Sequence, residues 1–208
     1  MNAHDSLAGR VDAVVIGASA GGVQALMTLL PALPRAAAVC AFVVLHLPRD
    51  RPSQLADIFG AHCAMVVSEA QDKEPAMPGH IYIAPPDYHL LVDAGPECAL
   101  SDDEPVNYSR PSIDVLFESA ADVFGARLLG IVLSGANDDG SRGAAAIKRA
   151  GGLVFVQDPA VAQSAMMPSA AIARSAVDFV GGLDQIAALL RSLSDPAAGS
   201  NATGRPAA

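Results

Sequence analysis

The stretch Asp12-Ala-Val-Val-Ile-Gly17, running on into Ala18-Ser19-Ala20-Gly21-Gly22, decides how the rest of the chain is read. An unbroken aliphatic run gives way to small residues and glycines, then to the helix-like stretch Val23 to Leu30. That is the pattern of a strand buried on both faces that enters a helix through a tight turn. Pro31 and Pro34 end the helix, and a second run from Cys40 to His46, with Phe42-Val-Val-Leu45 inside it, closes a βαβ unit. Strands without polar alternation belong to parallel sheets covered by helices on both faces.

The alternation resumes in the second half of the chain. After Arg110-Pro-Ser112 a helix carries Ile113, Leu116, Phe117 and Ala120 on one face, followed by a buried strand from Leu128 to Leu133. The spacing then predicts a helix over Ser141 to Ala150, a strand over Leu153 to Gln157, a helix over Ala162 to Arg174, a short strand over Val177 to Val180 and a helix over Leu183 to Leu193. The middle differs: Met65 to Ser68, His80 to Ala84, His89 to Val92 and Glu97 to Ser101 are short strand candidates separated by Pro85-Pro-Asp87 and Ala94-Gly-Pro96, and they read as hairpins on an edge. The predicted fold class is α/β, a doubly wound, mostly parallel sheet flanked by helices with a small antiparallel hairpin at one edge. Residues 1–10 are expected to form a flexible N-terminus, residues 11–194 one domain, and the small, Pro-containing and Gly/Ser/Ala-rich residues 195–208 a disordered tail.

Composition narrows the functions. With 208 residues, 51% hydrophobic and 17% charged, the chain has ample apolar surface for one core, which excludes wholesale disorder. Aromatics are 4% and Trp is absent, so a stacking platform for bases is not expected. Thirteen Lys and Arg against 22 Asp and Glu give a net charge of −9 without any basic cluster, which argues against nucleic acid as a partner. Cys40, Cys63 and Cys98 are odd in number and contain no Cys-x-x-Cys, fitting neither a disulfide framework nor a zinc site; a reducing, cytoplasmic location is the expectation. No secretion signal opens the sequence, and the apolar region Val23 to Leu45 is interrupted by Pro31, Pro34 and Arg35, so no membrane insertion is expected.

In open α/β sheets ligands bind beyond the carboxyl ends of the strands. Three such ends carry chemistry. Gly17-Ala-Ser-Ala-Gly21 has the Gly-x-Ser-x-Gly form of a turn that presents a hydroxyl, which makes Ser19 a candidate nucleophile. His46 ends the second strand as a candidate base, and Ser134-Gly-Ala-Asn-Asp-Asp-Gly140 places carboxylates at a third strand end, where one could orient the imidazole. A glycine-rich first turn equally suits a phosphate cradle, His46 equally suits a structural role, and Asp139 equally suits an N-cap. The dinucleotide reading needs an acidic residue at the end of the second strand, and Arg35 to Leu45 contains none. No Tyr precedes a Lys by four residues, and no Gly-Lys-Ser/Thr follows the glycines, so the hydrolase reading leads. His4, His62, His80 and His89 have no metal-ligand spacing and read as surface residues, with His89 near enough to Pro85-Pro-Asp87 to line a pocket.

Several segments together carry a resemblance. Val14-Val-Ile-Gly-Ala-Ser-Ala-Gly-Gly-Val23, His46-x-Pro48, Ile83-Ala-Pro-Pro-Asp-Tyr-His89, Arg110-Pro-Ser-Ile-Asp-Val-Leu-Phe117, Leu133-Ser-Gly135 through Asp139-Gly140, Gly151-Gly152, Gln157-Asp-Pro159 and Met167-Pro-Ser-Ala-Ala-Ile172 resemble the catalytic domain of chemotaxis protein-glutamate methylesterases over roughly Val11 to Leu193. The resemblance implies a serine hydrolase, with neither cofactor nor metal, that demethylates glutamyl methyl esters on methyl-accepting chemotaxis receptors, releases methanol and also deamidates glutamines. It implies Ser19 as nucleophile, His46 as base and Asp139 as acid, with the backbone of Ala20 and Ala136 as oxyanion donors. The order Ser, His, Asp is not that of α/β-hydrolases, but roles and geometry define a triad.

Two departures bear on activity. The family's acid turn reads Gly-Met-Gly-x-Asp-Gly, where this chain has Ala136 and Asn137, and the residue after the nucleophile, commonly Thr, is Ala20. Two competing readings are therefore kept, a catalytically silent module that binds receptors or partners and an esterase for small substrates. About ten residues precede the first strand, so no phosphorylatable receiver domain is expected in this sequence.

Overall fold

The computed structural model describes residues 7–46 and 53–194. Its centre is β1 (Ala13–Ala18), all six residues of which are buried. The chain continues through α1 (Gly22–Leu29), β2 (Cys40–Leu45), α2 (Leu55–Gly60), β3 (Val66–Glu69), β4 (His80–Ile83), β5 (His89–Asp93) and β6 (Glu97–Ser101). It then forms α3 (Ile113–Phe124), β7 (Leu128–Val132), α4 (Ser141–Arg149), β8 (Leu153–Gln157), α5 (Met166–Arg174), β9 (Phe179–Gly181) and α6 (Leu183–Arg191).

Seven strands make one sheet in the order β3-β4-β2-β1-β7-β8-β9, and every pairing in it is parallel. From β1 the chain first builds toward β2, β4 and β3, then returns to β1's other side for β7, β8 and β9. The order therefore reverses between β1 and β7, and the crevice at their carboxyl ends is the topological switch point where such sheets bind ligands.

The period-2 alternation of the strands divides the core in two. Val14, Ile16, Val43, Leu45 and Ile131 face a layer of α1, α2 and α6, whereas Val15, Phe42, Val44 and Val132 face α3, α4 and α5. Each fully buried aliphatic or Phe side chain contributes roughly 1.5–3 kcal/mol of transfer free energy. The hydrophobic effect thus explains why strands covered on both sides carry no polar alternation.

The middle of the chain departs from expectation. Of the four short strands read as hairpins, β5 and β6 do pair antiparallel, as a separate two-stranded sheet. β3 and β4 instead pair parallel and extend the main sheet. Ten residues lie between them, room for a crossover that a two-residue hairpin turn lacks. The six-residue helix α2 carried too little periodicity to be anticipated, and α5 begins at Met166 rather than Ala162. Of the N-terminal segment expected to be flexible, Leu7 is buried and its N–H donates to Ser192 Oγ at 3.2 Å. Pro48 and the expected tail lie outside the described residues. No helix among the described residues is long and apolar enough to cross a membrane.

Candidate active site

Two strand-to-helix turns meet at the switch point. Each ends on a glycine in the left-handed region, Gly21 at φ 79° before α1 and Gly140 at φ 88° before α4, where a side chain would be strained. Gly17 brings a third element close. A Cβ there would lie 2.3 Å from Ile113, so the bare backbone is what lets the start of α3 press against the end of β1.

Ser19 follows β1 directly. Its N–H donates to Ser134 O at 3.0 Å, tying it to the end of β7, while its hydroxyl makes no hydrogen bond among the described residues. The parallel register pairs Ala18 with Leu45, so Ser19 and His46 are the next residues on adjacent strands, which run about 4.8 Å apart. His46 N–H donates to Ala18 O at 3.0 Å, which fixes that placement.

Asp139 is fully buried, and His46 Nε2 lies 2.9 Å from its Oδ2 across 93 residues of sequence. That carboxylate does much more than meet the histidine. Oδ2 also accepts from Ile113 N–H at 2.7 Å, and Oδ1 accepts from Asp114 N–H, Ser112 Oγ, Asn107 Nδ2 and Gly140 N–H at 2.9–3.0 Å. Asp139 therefore caps a helix, but the helix is α3, not the one its own turn begins. Burial by itself would raise the carboxyl's pKa, yet hydrogen bonds from His46, Ile113 and Asp114 together with the charge of His46 hold it below the usual carboxylate range. An ionised Asp139 can only accept, so His46 Nε2 donates the shared bond, and His46 Nδ1 makes no hydrogen bond among the described residues.

Ala20 and Ala136 are exposed at the two turns, and their N–H groups donate to no atom among the described residues. Ser134 links these turns to the loop before α5: its Oγ donates to Ala20 O at 2.6 Å and accepts from Ser164 N–H at 2.9 Å. A cavity of about 370 Å³ between α4 and α5, lined by Asp138, Ser141, Ala170, Ala173 and Arg174, includes neither Ser19 nor His46.

Four polar residues of these turns were not singled out from sequence: Asn107 and Ser112, which bond Asp139, and Ser134 and Gln157 beside the Ser19 turn, where Gln157 accepts from Ser134 N–H at 2.8 Å. His89 corrects an expectation outright, being 2% exposed rather than a surface residue. Its Nδ1 accepts from Ser112 N–H at 3.1 Å and its Nε2 donates to Glu104 O at 3.2 Å, a neutral tautomer wedged behind the start of α3. Burial holds its pKa below the usual imidazole value. Cys40, Cys63 and Cys98 are free thiols, and burial pushes Cys40 and Cys98 up to about 12. No group among the described residues could hold a metal ion.

Comparison with known proteins bears on this arrangement. A family model described as CheB methylesterase matches residues 14–190. A relative from Leptospira interrogans is 44% identical over 178 residues, covering 86% of this chain and 92% of its own length. The protein-glutamate methylesterase/protein-glutamine glutaminase 1 of Anaeromyxobacter dehalogenans is 42% identical over 182 residues, which are 86% of this chain but 52% of that protein. The crystal structure of the Thermotoga maritima CheB methylesterase catalytic domain superposes with a TM-score of 0.84 at 32% identity, covering 88% of this chain and 98% of that one. With the family model spanning nearly the whole sheet and the solved catalytic domain sharing its architecture, the chain belongs to the CheB methylesterase family.

Proposed function

We propose that this chain is a protein-glutamate methylesterase in which Ser19, His46 and Asp139 form the catalytic triad, acting in the cytoplasm on glutamyl methyl esters of methyl-accepting chemotaxis receptors. The observation that carries this reading is the 2.9 Å bond between His46 and a buried, multiply bonded Asp139, one strand away from a serine whose hydroxyl makes no hydrogen bond among the described residues. Membership of the family supports the chemistry, and three free thiols support the compartment.

Ser19 Oγ attacks the ester carbonyl while His46 Nδ1 takes its proton; Asp139, bonded at Nε2, orients the ring and stabilises the imidazolium. The oxyanion is held by the N–H groups of Ala20 and Ala136, each worth on the order of 3 kcal/mol in such a site. Collapse breaks the bond to methoxide, which leaves as methanol with the proton from His46. Water, deprotonated by His46, then cleaves the acyl-serine and releases glutamate. A glutamine side chain enters the same path with ammonia as leaving group, so glutaminase activity belongs to the same proposal. The replacements at Ala136 and Asn137 keep a backbone donor in place, because an oxyanion contact through N–H does not depend on the side chain.

Methanol release from methylated receptor membranes tests the reading, with Ser19→Ala as the control. Release by the wild type and its loss in the variant are expected. A wild type that binds receptor but releases nothing would mark a silent binding module, and turnover confined to simple esters would mark a small-substrate esterase.

A further inference from the structure

Val106 and Ser109 exchange backbone hydrogen bonds of 3.1 and 2.9 Å around a two-residue turn, Asn107-Tyr108. Both central residues have positive φ, 51° and 59°. A two-residue turn with this signature is of type I′, which favours Asn at the first central position and Gly at the second. Asn107 fits the rule and Tyr108 breaks it, since an aromatic side chain in the left-handed region sacrifices stability that glycine would keep.

Among the described residues nothing compensates for that choice. Tyr108 is 100% exposed, and neither its ring nor its hydroxyl makes a hydrogen bond or ring contact among the described residues. Tyr82, by contrast, is buried, with its hydroxyl donating to Pro75 O and accepting from Met77 N–H. The turn that displays Tyr108 is also braced. Asn107 Nδ2 donates to both Asp139 and Asp114, and Arg110 binds Asp87 and the carbonyls of Asp102 and Asp103. A fully solvated ring on a strained backbone is thus held one residue from a side chain bonded to the proposed catalytic acid.

We propose that Tyr108 is a substrate-contact residue, packing its ring against the receptor segment that carries the glutamyl ester and setting affinity for protein substrate over small esters. This rests on the methylesterase reading above. A rigid aromatic supplies large contact area at low conformational cost, the property that makes Tyr a frequent anchor of interfaces. On this proposal a small ester turns over without touching Tyr108, whereas a folded receptor segment covers the turn that carries it.

The test compares wild type, Tyr108→Gly and Tyr108→Phe on two substrates, methylated receptor membranes and p-nitrophenyl acetate. Tyr108→Gly is expected to melt no lower than wild type, to match it on p-nitrophenyl acetate, and to lose ~10-fold in kcat/KM on receptor, mostly through KM. Tyr108→Phe, which keeps the ring, should retain receptor turnover. Receptor kcat/KM within two-fold of wild type in Tyr108→Gly, or an equal loss on both substrates, overturns the proposal while leaving the methylesterase reading intact. No methanol from receptor with the wild type removes both.

Discussion

The turn after β1 and the turn after β7 are built alike and used in opposite ways. Each leaves a central parallel strand, passes through small residues and enters its helix at a left-handed glycine. The first presents a hydroxyl that makes no hydrogen bond among the described residues, while the second presents a carboxylate with six donors and no exposure. In the proposed triad the nucleophile must be free to meet substrate, whereas the group that orients its base must not move. The fold gives Asp139 a structural duty at the start of α3, so the same bonds that stabilise the helix fix the carboxylate that meets His46.

The widest contrast between the turns should come from removing each side chain. Ser19→Ala is expected to lower the rate of ester hydrolysis by a factor on the order of 10⁶ while changing stability by less than about 0.5 kcal/mol. Asp139→Ala should also lose activity, but with destabilisation of roughly 3–5 kcal/mol, because it orphans the buried donors at the head of α3. Equal unfolding free energies for the two variants, measured in urea, would erase the distinction.

Acid titration sharpens it. Because the folded-state pKa of Asp139 is depressed, its stabilising contribution is complete above the unfolded value of about 3.9 and is lost as pH falls through the folded value. Asp139→Asn should therefore show a flatter fall in stability below pH ~4 than wild type, along with a drop in kcat of about 10⁴ if the tautomer is lost. An unchanged acid slope would mean that the carboxylate is not held ionised by the fold.

A smaller effect belongs to His89, which supports Ser112 behind the acid. Its folded pKa is lowered, so its contribution is complete above the unfolded value of about 6.5 and falls as pH drops below it. His89→Gln, which can keep both hydrogen bonds, should reduce the loss of stability between pH 7 and pH 5. Parallel pH profiles for the two proteins would show that the ring is protonated without cost.

What the sequence made legible follows the same division. Ser19, His46 and the acidic turn stand at ends of strands whose aliphatic runs are unmistakable, so alternation alone put them on one edge of a sheet. Parallel order was legible for β1 and β2 through the single helix between them. It was not legible for β3 and β4, whose four residues each carry no signal of direction. Asn107, Ser112 and His89 act through a loop that folds back over the end of β7, and no periodicity encodes such a path. Asp139 looked as much like an N-cap as a catalytic acid, and the structure gives it a cap as well as a bond to His46.

The central claim is that Ser19 is made nucleophilic by a histidine that Asp139 holds in place. Reaction with an alkyl fluorophosphonate followed by peptide mass analysis measures this directly. One adduct is expected, on Ser19, with its formation slowed by orders of magnitude in His46→Ala and in Asp139→Asn. An adduct on another residue, or labelling of Ser19 at the same rate in all three proteins, would contradict it.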